Sequence, residues 1–175
     1  MPSRLPAALL LVLPLLLPAC VAPTYVNIPS EGGIAASDPN SFNVRDVVAD
    51  SIAAAVEREP LEGVYEILLP EGTTQQTYQA VVRQIGGGAI APDTLRDRPV
   101  PSVRVVAVRI RNQDAEVDVV RPSPTGRSVV RVFLKWYYGG DWAVQRVKPL
   151  RIPAEELLLR TATPPPPPDA EDSGE

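Results

Sequence analysis

The chain is 175 residues long, with 17 Lys and Arg against 21 Asp and Glu, one cysteine and no histidine. The missing histidine excludes a Ser-His-Asp triad, imidazole general-base chemistry and the usual zinc site. A net charge of −4 argues against nucleic acid as a partner.

The N-terminus carries one positive charge, Arg4, ahead of an apolar stretch from Leu5 to Leu17 broken by Pro6 and Pro14. A membrane-spanning helix needs ~20 apolar residues, so this stretch reads as a cleavable secretory signal. It ends in Leu17-Pro18-Ala19-Cys20, which holds the single cysteine. This segment resembles the lipobox of bacterial lipoproteins. The resemblance implies a signal peptide over 1–19, lipidation of Cys20 on its thiol and new amino group, and the lipid bilayer as first partner. By the same resemblance, Val21 instead of Asp after the cysteine implies the outer membrane of a Gram-negative envelope, with the chain facing the periplasm. Two or three acyl chains are enough for stable anchoring.

Residues 20–40 are rich in Pro, Gly, Ser, Ala and Asn, show no helical or alternating pattern, and read as a flexible tether. Ser41-Phe42-Asn43 opens a helix to about Glu59. Its Val44, Val47, Val48, Ile52, Ala55 and Val56 follow helical spacing, and Pro60 stops it. Gly63 to Leu69 is a short strand or an extended link. Thr73 or Thr74 caps a second helix that runs to Ile85 and ends at Gly86-Gly87-Gly88. The triple glycine follows a helix instead of opening one and lacks a downstream Lys-Ser/Thr. It therefore reads as a C-cap and loop, not a phosphate cradle.

From Ser102 the apolar period becomes two, and Val103–Arg111, Glu116–Arg121, Ser128–Tyr138 and Asp141–Lys148 read as a meander of strands. A turn at Gln113-Asp114 sets Arg111 opposite Glu116 and Arg109 opposite Asp118. On the other face it sets Ile110 opposite Val117 and Val108 opposite Val119. A tight turn at Gly139-Gly140 sets Tyr137 opposite Trp142, Lys135 opposite Val144, Phe133 opposite Arg146 and Arg131 opposite Lys148. Val130, Val132, Leu134 and Trp136, with Ala143 and Val147, then form the core face. Pro153 to Arg160 reads as a short closing helix. Residues 161–175, with Pro164 to Pro168 and four acidic side chains, read as a stiff, disordered tail.

The expected fold is α+β over 41–160: two helices packed on one face of a curved, mainly antiparallel sheet of four to five strands, flanked by disordered segments. Element order alone is weakly similar to the nuclear transport factor 2-like superfamily, whose helices precede a bent sheet and enclose a pocket. A cystatin-like or other helix-on-sheet arrangement fits nearly as well.

The sheet half is basic. Residues 102–151 hold ten basic and four acidic side chains, whereas 21–101 hold five basic and eleven acidic. Arg131, Lys135, Tyr137, Trp142, Arg146 and Lys148 gather on one predicted face and form the candidate partner-binding set. Such a face is either long basic stems lying over rings as solvated packing, or a docking surface for an envelope protein or an anionic envelope polymer. Carboxylate chemistry of the kind that hydrolyses glycans would draw on Glu62, Glu66, Glu116, Asp118 or Asp141. The arginines facing Glu116 and Asp118, and the lack of an aromatic platform beside Glu62 and Glu66, argue against it. The expected function is a non-catalytic binding or accessory module of an envelope protein assembly, without metal or cofactor. A pocket-type domain for a small apolar or anionic ligand is the alternative, and a carboxylate-dependent cell-wall glycan hydrolase comes third.

Overall fold

Valine dominates the strands of this protein, and its β-branched side chain suits a pleated surface covered by helices. The computed structural model describes residues 25–29, 37–92, 100–137 and 140–162. The signal peptide, Cys20 and the tail from 163 onward lie outside the described residues. The elements run β1 (Tyr25–Ile28), α1 (Phe42–Arg58), β2 (Tyr65–Leu68), α2 (Gln75–Ile85), β3 (Ala89–Ile90), β4 (Ser102–Arg111), β5 (Asp114–Ser123), β6 (Gly126–Trp136), β7 (Trp142–Leu150) and α3 (Ala154–Ala162).

The fold is α+β, and its sheet is open. Strand order is β3-β2-β4-β5-β6-β7, and β1 lies beside the second half of β4 where β2 stops. The described sheet has seven strands against the four to five expected. The two additions are β3, of two residues, and β1, which lies inside the stretch read as a tether. Val26 and Ile28 of β1 are buried in the core, so ordered structure begins well before residue 41. Residues 37–40 are tied in as well. Ser37 Oγ accepts from Asn27 N–H at 3.1 Å, and Asn40 Oδ1 accepts from Thr74 N–H at 2.8 Å.

α1 buries Val44, Val47, Val48, Ile52 and Ala55 against one sheet face, the stripe that its 3.6-residue period predicts. α2 begins at Thr74, whose Oγ1 accepts from Thr77 N–H, and ends on Gly86, whose φ is 63°. Gly88 has a further reason to be glycine. A Cβ there would meet the Gly63 carbonyl oxygen at 2.6 Å, where β2 and β3 begin to pair.

The core face carries Val105, Val108 and Ile110 of β4, Val117 and Val119 of β5, and Val130, Val132 and Leu134 of β6. At its far end stands a buried arginine. Arg121 is 1% exposed, donates to the Ala55 carbonyl of α1 and pairs with Glu59 at 2.5 Å. Glu59 N–H bonds Val56 instead of Ala55, so Arg121 supplies the donor that the helix end leaves missing. α3 covers part of the other sheet face, where Ala154, Leu157 and Leu158 pack on Val106, Val120, Val129 and Leu150.

Both hairpins depart from the sequence expectation. The β4–β5 turn is Asn112-Gln113, one residue earlier than predicted, because Asn112 takes φ 57°, a conformation asparagine tolerates well. The strands therefore slide by two residues and every side chain keeps its face. Arg109 now stands opposite Glu116 and Arg111 opposite Asp114. The β6–β7 loop is longer than the predicted pair of glycines. Trp136 pairs with Trp142 and Lys135 with Ala143, and the register shifts between Leu134–Val144 and Phe133–Arg146. Gln145 is the extra residue. Beyond it the predicted pairs Phe133–Arg146 and Arg131–Lys148 are recovered.

Candidate binding surface

The face of the sheet away from α1 alternates with the core, so it collects the odd-numbered side chains of β6 and the even-numbered side chains of β5. Read across β4, β5, β6 and β7, it forms three rows: Arg111, Asp114, Lys135 and Ala143; Arg109, Glu116, Phe133 and Arg146; and Ala107, Asp118, Arg131 and Lys148. The acids all lie on β5, and the strands beside it are basic.

Asp118 anchors this arrangement. Its side chain is 2% exposed, and it accepts from Arg131 Nε and Nη2 at 2.6 and 2.9 Å and from Arg109 Nη1 at 3.0 Å. The Arg109 contact expected from sequence is thus made diagonally, not across a directly facing pair. Arg131 also reaches Glu116 at 3.4 Å. The hydrogen bonds to Asp118 raise the Arg131 pKa above its ordinary value, and this outweighs the opposing effect of burial. Arg131 is therefore fixed inside the face by its acid partners.

The other five candidate residues divide. Lys135, Arg146 and Lys148 are exposed and make no ion pair with the described residues. The Arg146 guanidinium lies 4.3 Å from the centre of the Phe133 ring. Tyr137 follows β6 and is 50% exposed. Trp142 does not join them. Pairing with Trp136 places it on the helix side, edge-on to that ring at 5.5 Å and against the core, with its indole N–H buried and unpartnered among the described residues. The cause is the longer loop, and the bulge at Gln145 returns Arg146 and Lys148 to the outer face. Nothing in the local composition marks a bulge, so sequence pattern could not separate Trp142 from its neighbours.

On the helix side, α1 and β7 leave an open cleft of about 670 Å³ between Asp50, Ala53 and Glu57 on one wall and Trp142, Val144 and Val147 on the other. Burial raises the Asp50 pKa above its ordinary value; Gln84 lowers it in part, while Asp46 and Asp141 add to the rise. β7 is the long free edge of the sheet. Arg58 of α1 donates to the Val147 carbonyl at 3.2 Å, Pro149 offers no N–H, and the bulge interrupts the ladder, so strand addition there is opposed.

The carboxylates considered for catalysis are dispersed except for Glu116 and Asp118, which share Arg131. Glu62 and Asp141 are exposed, and Glu66 lies on β2. Among the described residues no group of His, Cys, Asp and Glu is arranged to hold a metal ion. No described helix is long and apolar enough to cross a membrane. The chain matches no protein-family model, and neither the curated proteins nor the solved structures contain a significant match to it.

Proposed function

We propose that this protein is a lipid-anchored lipoprotein of the bacterial envelope that acts by binding, as a non-catalytic accessory module of an envelope protein assembly. The anchor is Cys20. The docking surface is the outer side of β6 and β7, and its partner is a protein with an acidic face. One observation carries the reading: Arg146 and Lys148 stand exposed without ion pairs among the described residues, beside an Arg109, Arg131, Glu116 and Asp118 cluster whose charges are paired with one another. Uncompensated basic side chains attract acidic surfaces at long range, and Phe133 beneath Arg146 adds a ring that a partner can cover.

Crosslinking in intact cells, followed by purification of the lipidated protein and mass spectrometry, tests this. The expected result is one reproducible envelope protein, lost from the Arg146→Glu, Lys148→Glu double variant while the melting temperature stays near that of the parent. Both positions are exposed, where substitutions usually change stability by less than about 0.5 kcal/mol. Recovery that is unchanged in the double variant removes the surface from the mechanism. Recovery of an anionic wall polymer in place of a protein overturns the partner class.

A further inference from the structure

β1 fixes where an anchored chain holds its sheet. It runs antiparallel to β4 and starts at Tyr25, beside Arg111, at the end of the sheet that carries the Asn112-Gln113 turn. Five residue steps separate Cys20 from Tyr25. At ~3.6 Å per residue, even full extension allows about 18 Å between them. The tether of some twenty residues expected from composition would have let the domain roam; the strand removes most of that length.

The chemistry of this end suits a bilayer surface. Its last full row is Tyr25, Arg111, Asp114, Lys135 and Ala143, taken across five strands. Just beyond it lie Asn112, Gln113, Trp136 and Tyr137. Trp136 N–H donates to the Gln113 carbonyl at 2.7 Å, which closes the β4–β5 turn against β6. Tyr25 and Tyr137 are 48% and 50% exposed, and Trp136 is partly exposed. The opposite end of the meander, the turn Pro124-Thr125 with Ser123, Gly126 and Arg127, carries no aromatic ring. Ten residues of β5 separate the two ends, or ~33 Å at the rise of an extended strand. Arg111 and Lys135 are balanced by Asp114 and Asp141, so the rings, not net charge, distinguish this end. Tyr and Trp present an apolar body and a polar tip, which is why they settle at the level of lipid headgroups.

We propose, resting on the lipid-anchor reading above, that the Tyr25–Tyr137 end of the sheet is a bilayer-contacting surface. Tyr25, Trp136 and Tyr137 sit at headgroup level, and Arg111 and Lys135 meet lipid phosphates. The sheet then stands away from the membrane. Arg146 and Lys148, in the rows behind, remain open to a protein partner.

The test uses the full lipidated chain in vesicles of phosphatidylethanolamine with a minority of phosphatidylglycerol and brominated acyl chains. Acylation consumes the thiol of Cys20, the one native cysteine. A single Gln113→Cys or Thr125→Cys substitution can therefore carry a polarity-sensitive dye alone. The expected result is a blue shift and strong bromolipid quenching at position 113, none at position 125, and a weaker response at 113 when Tyr25→Ser and Tyr137→Ser are added. A response at 125, equal responses at both ends, or no response at either overturns the orientation. The mass of the N-terminal peptide reads acylation separately. An unacylated Cys20 overturns the anchor and this proposal with it, whereas an acylated Cys20 without a response at 113 overturns the proposal alone.

Discussion

Val117 and Asp118 are neighbours on β5, equally hidden from water, and point to opposite faces of one sheet. On the side of Val117 the sheet meets α1 and α2 through close-packed aliphatic groups. On the side of Asp118 it is held by a carboxylate between two guanidinium groups, and only part of that face lies under α3. The contrast teaches that depth alone does not say how a residue stabilises a fold. An aliphatic side chain loses a fixed amount when trimmed. A buried ion depends on partners that become liabilities once it is gone.

Two substitutions probe that contrast, and a third probes the helix side of the sheet. The largest effect is expected for Asp118→Asn, a loss of about 3 kcal/mol in denaturant unfolding. This is the low end for breaking a buried ion pair, because Arg109 and Arg131 are 21% and 29% exposed and water takes up part of their charge. Val117→Ala should cost about 2 kcal/mol, from lost transfer energy and the small cavity left behind. If the valine change proves the more costly, the ion cluster contributes little and the two faces differ less than their chemistry implies.

The smallest effect concerns the cleft between α1 and β7. The folded-state pKa of Asp50 is raised, so the folded protein binds this proton more tightly than the unfolded chain does. Its stabilising contribution is full below the unfolded value of 3.8 and is lost as pH rises through the raised folded value. Asp50→Asn keeps an acceptor for Gln84 and should therefore raise the melting temperature slightly at neutral pH, with no gain below the unfolded pKa. A lower melting temperature at pH 7 would show that the charge is favourable where it stands.

The parts of this fold legible in the sequence are those in which many residues repeat one message. α1 repeats its apolar stripe over four turns, and β4, β5 and β6 alternate long enough to assign each side chain a face. β1 offered only Tyr25-Val26-Asn27-Ile28 amid prolines and glycines, and its strand character comes from pairing with β4, a contact distant in sequence. The same holds for the candidate surface. Arg131, Lys135, Arg146 and Lys148 share a face as alternation predicts, yet Arg131 is committed to Asp118, which only the cross-strand register reveals. Trp142 was misplaced by the length of one loop. Asn112 did carry a signal for its turn, since asparagine accepts positive φ more readily than Gln113 does.

The guarded rim of β7 has a consequence for crowds of this protein. Two copies whose open rims could zip together would expose fresh rims at their outer ends and keep growing into a ribbon. Arg58 covering a carbonyl, a proline without a hydrogen and one surplus residue at Gln145 make that first zip incomplete, so growth stops before it starts. At the other rim, β3 is two residues long and β1 four, which offers little ladder to seed one. The β7 rim is thus poorly suited to draw the molecules into a ribbon, however densely they are gathered.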